Sequence, residues 1–287
     1  ELADTYGLDQ IRYFFLRDKG FGVDGGFSYE GFLARYNADL ANDLGNLAHR
    51  GLSMTSKWLG GVVPERAAPT AAEAELHALG AQALRQFDQH LTDLAFNKAL
   101  ESLWELVKAG NKHIEDTQPW ALNKAGDTAQ VGAVMRAVLE ICYVTAVALH
   151  PIMPAKSLEL LRRLGCQDTD PSAALQALLT QAEQGALRFD ALAHGAALDV
   201  ADPLFPRFRE LPDAIAELFR AEQAQEPAEL QEPEGGWIAF EDFAKVQLRT
   251  GRVLAADLHP KADRLLVLTV DVGEGRPRTI CAGIRDR

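Results

Sequence analysis

The sequence predicts a mainly α protein: an antiparallel helical bundle followed by a small β domain at the C-terminus. Three observations predict it. Apolar residues recur at helical spacing through most of residues 28–164, with short connections between the runs. Residues 209–236 then break the period with eight acids, two basic residues and three prolines, closing on Gly235-Gly236, the composition of a solvated linker. From Trp237 onward, short alternating runs replace the helical pattern.

Taken in order, Asp9 is placed to cap a helix that carries Ile11, Phe14 and Phe15 on one side. A glycine-punctuated loop, 20–26, leads to Ser28, which opens the next helix. There Leu33, Tyr36, Leu40, Leu44, Leu47 and Leu52 follow at spacings of three, four and five. A helix is expected from Ala71 to Leu91, and another from a cap at Asp93 through Phe96, Leu100, Leu103, Val107 and Ile114. The next spans Thr128 to Leu149 and stops at His150-Pro151, because proline cannot continue the ladder. A shorter helix from Ala155 to Leu164 ends at Gly165. Ile215 to Phe219 can form a helical turn within the linker. In the β domain, strands are expected over 246–253 and 265–272, with a turn at Gly273-Glu274-Gly275 before a third strand at Thr279 to Cys281. The expected organisation is a connecting segment 1–27, a helical domain 28–208, the linker 209–236 and the β domain 237–287. The absence of a start methionine and the abrupt ends suggest a piece of a longer protein.

Composition excludes several classes. With 47% hydrophobic and 24% charged residues the chain can bury a real core. The most apolar stretch, Val131 to Pro151, is interrupted by Arg136, Glu140 and His150 and reads as a buried helix, so no membrane partner is expected. Three scattered cysteines form no CxxC pair, so neither a zinc site nor a disulfide framework is indicated and a reducing cytoplasm is the expected location. The net charge of −12 argues against indiscriminate polyanion binding but leaves room for a local basic face. No phosphate-cradling glycine loop, HExxH pair or serine elbow is present, so no catalytic residue is assigned. His113, on a helix, reads as a solvated or core-edge histidine rather than a ligand.

Three groups carry chemistry. In Asn37 to Arg50, the residues Asn42, Asn46 and Arg50 stand at four-residue steps on one helix face. Amides are poor helix formers, and an Asn one turn from an Arg offers donors and acceptors suited to base edges; polar packing between helices explains the same spacing equally well. In Asn111 to Trp120, Pro119 fixes a turn that puts the Trp120 indole at a helix–helix junction, either packed inward or open for stacking on an unpaired base. Residues 237–287 hold nine basic and seven acidic side chains, with Lys245, Arg249, Lys261 and Arg264 along the first strand and the following loop. Such a face suits single-stranded or structured nucleic acid, and ordinary solvated strand edges account for it as well.

These residues resemble the methionyl-tRNA synthetases of bacterial type. Glu1 to Arg17 resembles the segment after the KMSKS loop, and NADLANDLGNLAHR, Asn37 to Arg50, resembles the first anticodon-domain helix. Phe96 to Leu100, the Gln118-Pro119-Trp120 element and Pro203-Leu204-Phe205-Pro206-Arg207 follow in the family's order. Residues 237–287 resemble the start of an oligonucleotide-binding-fold (OB-fold) module, including HPKADRLLVLTVDVG, His259 to Gly273. The resemblance implies that Asn46 and Arg50 read the first anticodon base of tRNA(Met), that Trp120, flanked by Pro119, stacks in the same pocket, and that Lys245, Arg249, Lys261 and Arg264 contact tRNA without base specificity. It implies a class I methionine–tRNA ligase whose ATP site and zinc-bearing insertion lie in a catalytic domain outside this chain, with no cofactor bound here. The β-barrel module is expected to be truncated. The family's subunit-pairing elements lie beyond it, so the longer protein is expected to be a homodimer and this chain is not. A free-standing tRNA-binding module, or a helical scaffold with no RNA partner, is the competing reading.

Overall fold

The computed structural model describes residues 2–22, 24, 26–208, 240–246, 250–260, 262 and 265–283. The chain divides into two compact units, residues 1–219 and 220–287, each with its own contacts.

The first unit is helical. Helices α1 (Leu2–Tyr6) and α2 (Leu8–Asp18) meet at Gly7, whose positive φ of 91° a side chain would strain. Gly7, not Asp9, caps α2. Asp9 is buried in the first turn and accepts a 2.7 Å hydrogen bond from the amide of Lys156, 147 residues away. The carboxylate expected to cap its own helix therefore caps another, because α2 lies against the start of α9 (Pro154–Arg163). Arg12 fastens the same corner by donating to the carbonyls of Ile152 and Pro151. Ser28 caps α3 (Tyr29–Arg35) as expected, accepting from the amide of Gly31.

The chain then continues as a π-helix, Tyr36–Gly45, before returning to α geometry in α4 (Asn46–Leu59). The uneven apolar spacing has its explanation here. An i→i+5 ladder widens the turn, so Tyr36, Leu40 and Leu44 stay buried at four-residue steps. A ten-residue π segment was not expected from the sequence.

Helix α5 (Ala71–Thr92) opens on a full capping box, Thr70 with Glu73. Helix α6 runs over Phe96–Thr117. Asp93 does not cap it; Asp93 closes α5, and Leu94 turns the chain at φ 56° before Ala95 starts α6. Helix α7 (Pro119–Ala125) and α8 (Thr128–Leu149) follow, then α9 and a further helix, α10 (Pro171–Glu183), that the apolar period did not reveal.

Helix α8 is the centre of the unit, packed against α4, α6, α7, α9 and α10. It is long and apolar enough to cross a bilayer, yet nearly all of it is buried in protein. Its two charges form a buried hub. Arg136 donates to Glu140 and to the carbonyls of Pro64 and Leu192, and Glu140 accepts from the amides of Ala191 and Leu192. Each fully buried Leu around it, such as Leu100, Leu103 and Leu106, contributes about 1.5–3 kcal/mol from burial. Close approach sets where α4 and α6 stand. A Cβ on Gly51 would lie 3.0 Å from Val138, and one on Gly110 would lie 3.1 Å from Leu47.

The second unit contains an antiparallel sheet in the order β1 (Arg252–Leu258), β2 (Leu266–Asp271), β3 (Arg278–Ala282). The first strand thus begins at Arg252, later than expected. Phe240–Phe243 form a helical turn, Thr250 and Gly251 lie outside the strand, and residues 247–249 fall outside the described residues. The expected linker 209–236, with its turn at 215–219, also lies outside them.

Candidate nucleic-acid interface

The polar run from Asn37 to Arg50 divides into side chains that hold the fold and side chains that face out. Asn37 pairs with the backbone of Phe208, donating to its carbonyl at 2.7 Å and accepting from its amide at 3.2 Å. Asp39 is buried and accepts from the Tyr13 hydroxyl at 2.8 Å and from Arg35 at 3.5 Å, with Arg17 at 3.6 Å. Those two residues are structural. Asn42 is exposed and accepts from Arg207. Asn46 is exposed, and its side chain has no hydrogen-bond partner among the described residues. Asn42 and Asn46 line an open cleft of about 500 Å³ together with His49, Phe205 and Arg207. The amide of Asn46 can offer a donor and an acceptor to one base edge there.

Arg50 lies one turn further along α4. Its Nη1 stands 2.7 Å from Oε1 of Glu115 near the end of α6, and its side chain is only 18% exposed. The guanidinium is thus held in place by an acid on the neighbouring helix. Asn111 strengthens the same junction by donating to the carbonyl of Asp43 at 3.0 Å.

Trp120 sits five residues beyond Glu115. Helix α6 ends at Thr117, Gln118 takes a left-handed φ of 46°, and Pro119 is buried as the first residue of α7. Proline suits that position, since its missing N–H is one that no helix would use. The next residue turns outward, and Trp120 is 40% exposed, so of the two placements open to it the indole takes the outer one. Trp104, by contrast, is core. No hydrogen bond, ion pair or ring interaction joins Trp120 to Asn46 or Arg50 among the described residues; Arg50 reaches the end of α6 through Glu115, and Trp120 follows that end in the chain.

The electrostatics are mixed. Partial burial pushes the Asp43 carboxyl up, with Lys108 opposing the shift. Burial pushes the His113 imidazole down from its ordinary value, against the pull of Glu73 and Asp116, and its Nε2 has no hydrogen-bond partner among the described residues. His113 is therefore a buried helix residue. Among the described residues no three His, Cys, Asp or Glu side chains form a metal site. In the second unit Lys245 is exposed and pairs with Asp242 at 2.7 Å, whereas Arg249, Lys261 and Arg264 lie outside the described residues. The sequence reading missed Glu115 and Arg207. Both are charged residues in the runs already singled out, but only the packing shows which side chain each one meets.

Residues 63–217, more than half of the chain, match the family described as the anticodon binding domain of methionyl tRNA ligase. The chain belongs to that family. Residues 1–52 also match the class I tRNA synthetases (M), and residues 248–287 match the putative tRNA binding domain. Among similar proteins, methionine–tRNA ligase 1 of Bacillus cereus is 33% identical over 288 residues, covering 99% of this chain and 42% of that protein. The methionine–tRNA ligase of Deinococcus radiodurans is 34% identical over 296 residues, covering 99% of this chain and 43% of that protein. The free-state crystal structure of Mycobacterium tuberculosis methionyl-tRNA synthetase superposes with a TM-score of 0.64 at 34% identity, over 73% of this chain and 40% of that one. This methionyl-tRNA ligase family member spans about 42% of the length of the curated relatives it matches.

Proposed function

We propose that this chain is the tRNA-recognition part of a methionine–tRNA ligase, reading the CAU anticodon of tRNA(Met). The observation that carries the proposal is the arrangement around the end of α6: Asn46 is exposed on α4 with no side-chain partner among the described residues, Arg50 is held by Glu115, and Trp120 is turned outward beyond Pro119. In this reading Asn46 and Arg50 hydrogen-bond the edge of the first anticodon base and the Trp120 indole stacks on its face. The helical part, 28–208, does the reading. The basic side chains of 237–287, among them Lys245, Arg249, Lys261 and Arg264, add contacts to the tRNA body.

Joining methionine to tRNA with ATP belongs to the whole ligase, in a cytoplasmic protein that pairs as a homodimer and holds any zinc in its catalytic domain. A free-standing tRNA-binding module is disfavoured, since residues 1–52 match the class I synthetases. The test is binding of this chain to a CAU anticodon hairpin and to the same hairpin with its first anticodon base exchanged. Preference for CAU, lost in Asn46→Ala and Arg50→Ala with helicity unchanged, is the expected result. Equal binding of both hairpins by the native chain overturns the proposal.

A further inference from the structure

Helix α4 extends well past the residues assigned to base reading. Leu47, Ala48, Gly51, Leu52 and Thr55 are buried on its inner side. On the other side Asn46, Arg50, Ser53 and Lys57 follow at four, three and four residues, a single row along the helix. Lys57 lies 11 residues after Asn46, about three turns and roughly 16 Å along the axis. It is exposed and has no ion pair among the described residues, in a chain whose acids outnumber its Lys and Arg by 41 to 29. Ser53 is half-exposed between them and shares a 3.4 Å hydrogen bond with His49 Nε2.

We propose that Ser53 and Lys57 form a track for the sugar–phosphate backbone, carrying the anticodon strand away from the base held at Asn46 and Arg50. The inference rests on the base-reading role proposed above and extends it along the helix. A flexible ammonium on an exposed face acts as a point charge that follows a phosphate without reading sequence, whereas the amide and guanidinium at the other end of the row give direction. A lysine in the last turn of α4 is also favoured by the helix dipole. That role alone would show in thermal stability and leave RNA binding unchanged.

The experiment measures binding of the full chain to the CAU hairpin and the exchanged hairpin across a range of salt concentrations, for the native protein, Lys57→Gln and Lys98→Gln. Lys98, near the other end of α6 and also without an ion pair among the described residues, is the control; it lies about 25 Å along that helix from Glu115. The expected result is that Lys57→Gln weakens both hairpins by the same factor. Its plot of log K against log salt becomes shallower by roughly 0.7–0.9, the loss of one phosphate contact, and Lys98→Gln matches the native protein. An unchanged slope for Lys57→Gln, while the native chain still prefers CAU, overturns the track and leaves base reading standing. A shallower slope for Lys57→Gln, together with no CAU preference in the native chain, upholds the backbone contact and overturns base reading. If Lys57→Gln shifts only the melting temperature, the residue serves the helix end and the proposal fails.

Discussion

Arg50 Nη1 and Glu115 Oε1 stand 2.7 Å apart, a cation and an anion on two helices at the surface expected to receive a polyanion. Glu115 is 61% exposed, so solvent screens the pair and its contribution to stability is below about 1 kcal/mol. Its larger effect is on what else Arg50 can bind. Glu115→Gln should leave the melting temperature nearly unchanged and tighten binding of anticodon hairpins, most strongly at low salt. Weaker binding, measured by fluorescence anisotropy, would show instead that the acid aims Arg50 at its base.

The two tryptophans of the α6–α7 region should respond in opposite ways. Trp120 is 40% exposed and Trp104 is buried against Tyr13, with ring centroids 4.9 Å apart. Trp120→Ala should lose about 1–3 kcal/mol of RNA binding, the worth of a base stack, with little change in stability. Trp104→Ala should cost about 3–5 kcal/mol of stability. Urea melts and hairpin titrations on both variants decide it, and a large stability loss in Trp120→Ala would return that residue to the core.

How much of this was legible in the sequence follows from which interactions are local. Ser28 as a cap, the helix from Ala71, the stop after Leu149 and the turn at Gly273 all depend on neighbours within a few residues, and each is where the sequence places it. Asp9 and Asp93 look like caps by the same rule and are not. A partner 147 residues away takes the Asp9 carboxylate, and the Leu94 turn displaces the start of α6. The π-helix went unread because Tyr36, Leu40 and Leu44 follow at four-residue steps, a spacing that one face of an α-helix also accommodates over so short a run. Helix α10 was hidden for a different reason. Only Leu178 and Ala182 are buried on it, too few to mark a face. In the interface, the types and spacing of Asn46, Arg50 and Trp120 were readable, whereas the carboxylate that holds Arg50 required the packing of α4 against α6.

His113 makes stability depend on pH. Burial lowers its pKa from the ordinary 6.5, so the folded protein holds the imidazole neutral where the unfolded chain would already protonate it. A depressed folded pKa contributes stability that is present above the unfolded value and is lost as pH falls through the folded one. Thermal melts from about pH 8 to about pH 6 should therefore show a decline toward acid that is smaller in His113→Phe. Some decline should remain in the variant, because burial also lowers His77. Identical pH profiles for the native protein and His113→Phe would refute the assignment.

The three-stranded sheet should be the least protected ordered structure in the chain. Strand β2 pairs on both sides and is the only one of the three whose described residues include buried ones, Leu268 and Val270. All of β1 is exposed, with Val253, Leu254 and Leu258 each about half or more accessible, and Ile280 on β3 is 42% exposed. A sheet with so little apolar cover among the described residues gains little from burial, and no further described strand pairs with its outer edges. Helix α8 lies at the opposite extreme, buried along nearly its whole length. Native-state hydrogen exchange should accordingly show α8 amides exchanging only through global unfolding of the helical unit. The β2 amides should exchange much faster, through local opening, and the outward-facing amides of β1 and β3 faster still. Protection in β1 equal to that of α8 would mean that something in solution covers the strand, and a dependence of that protection on protein concentration would identify the cover as a second copy of the chain.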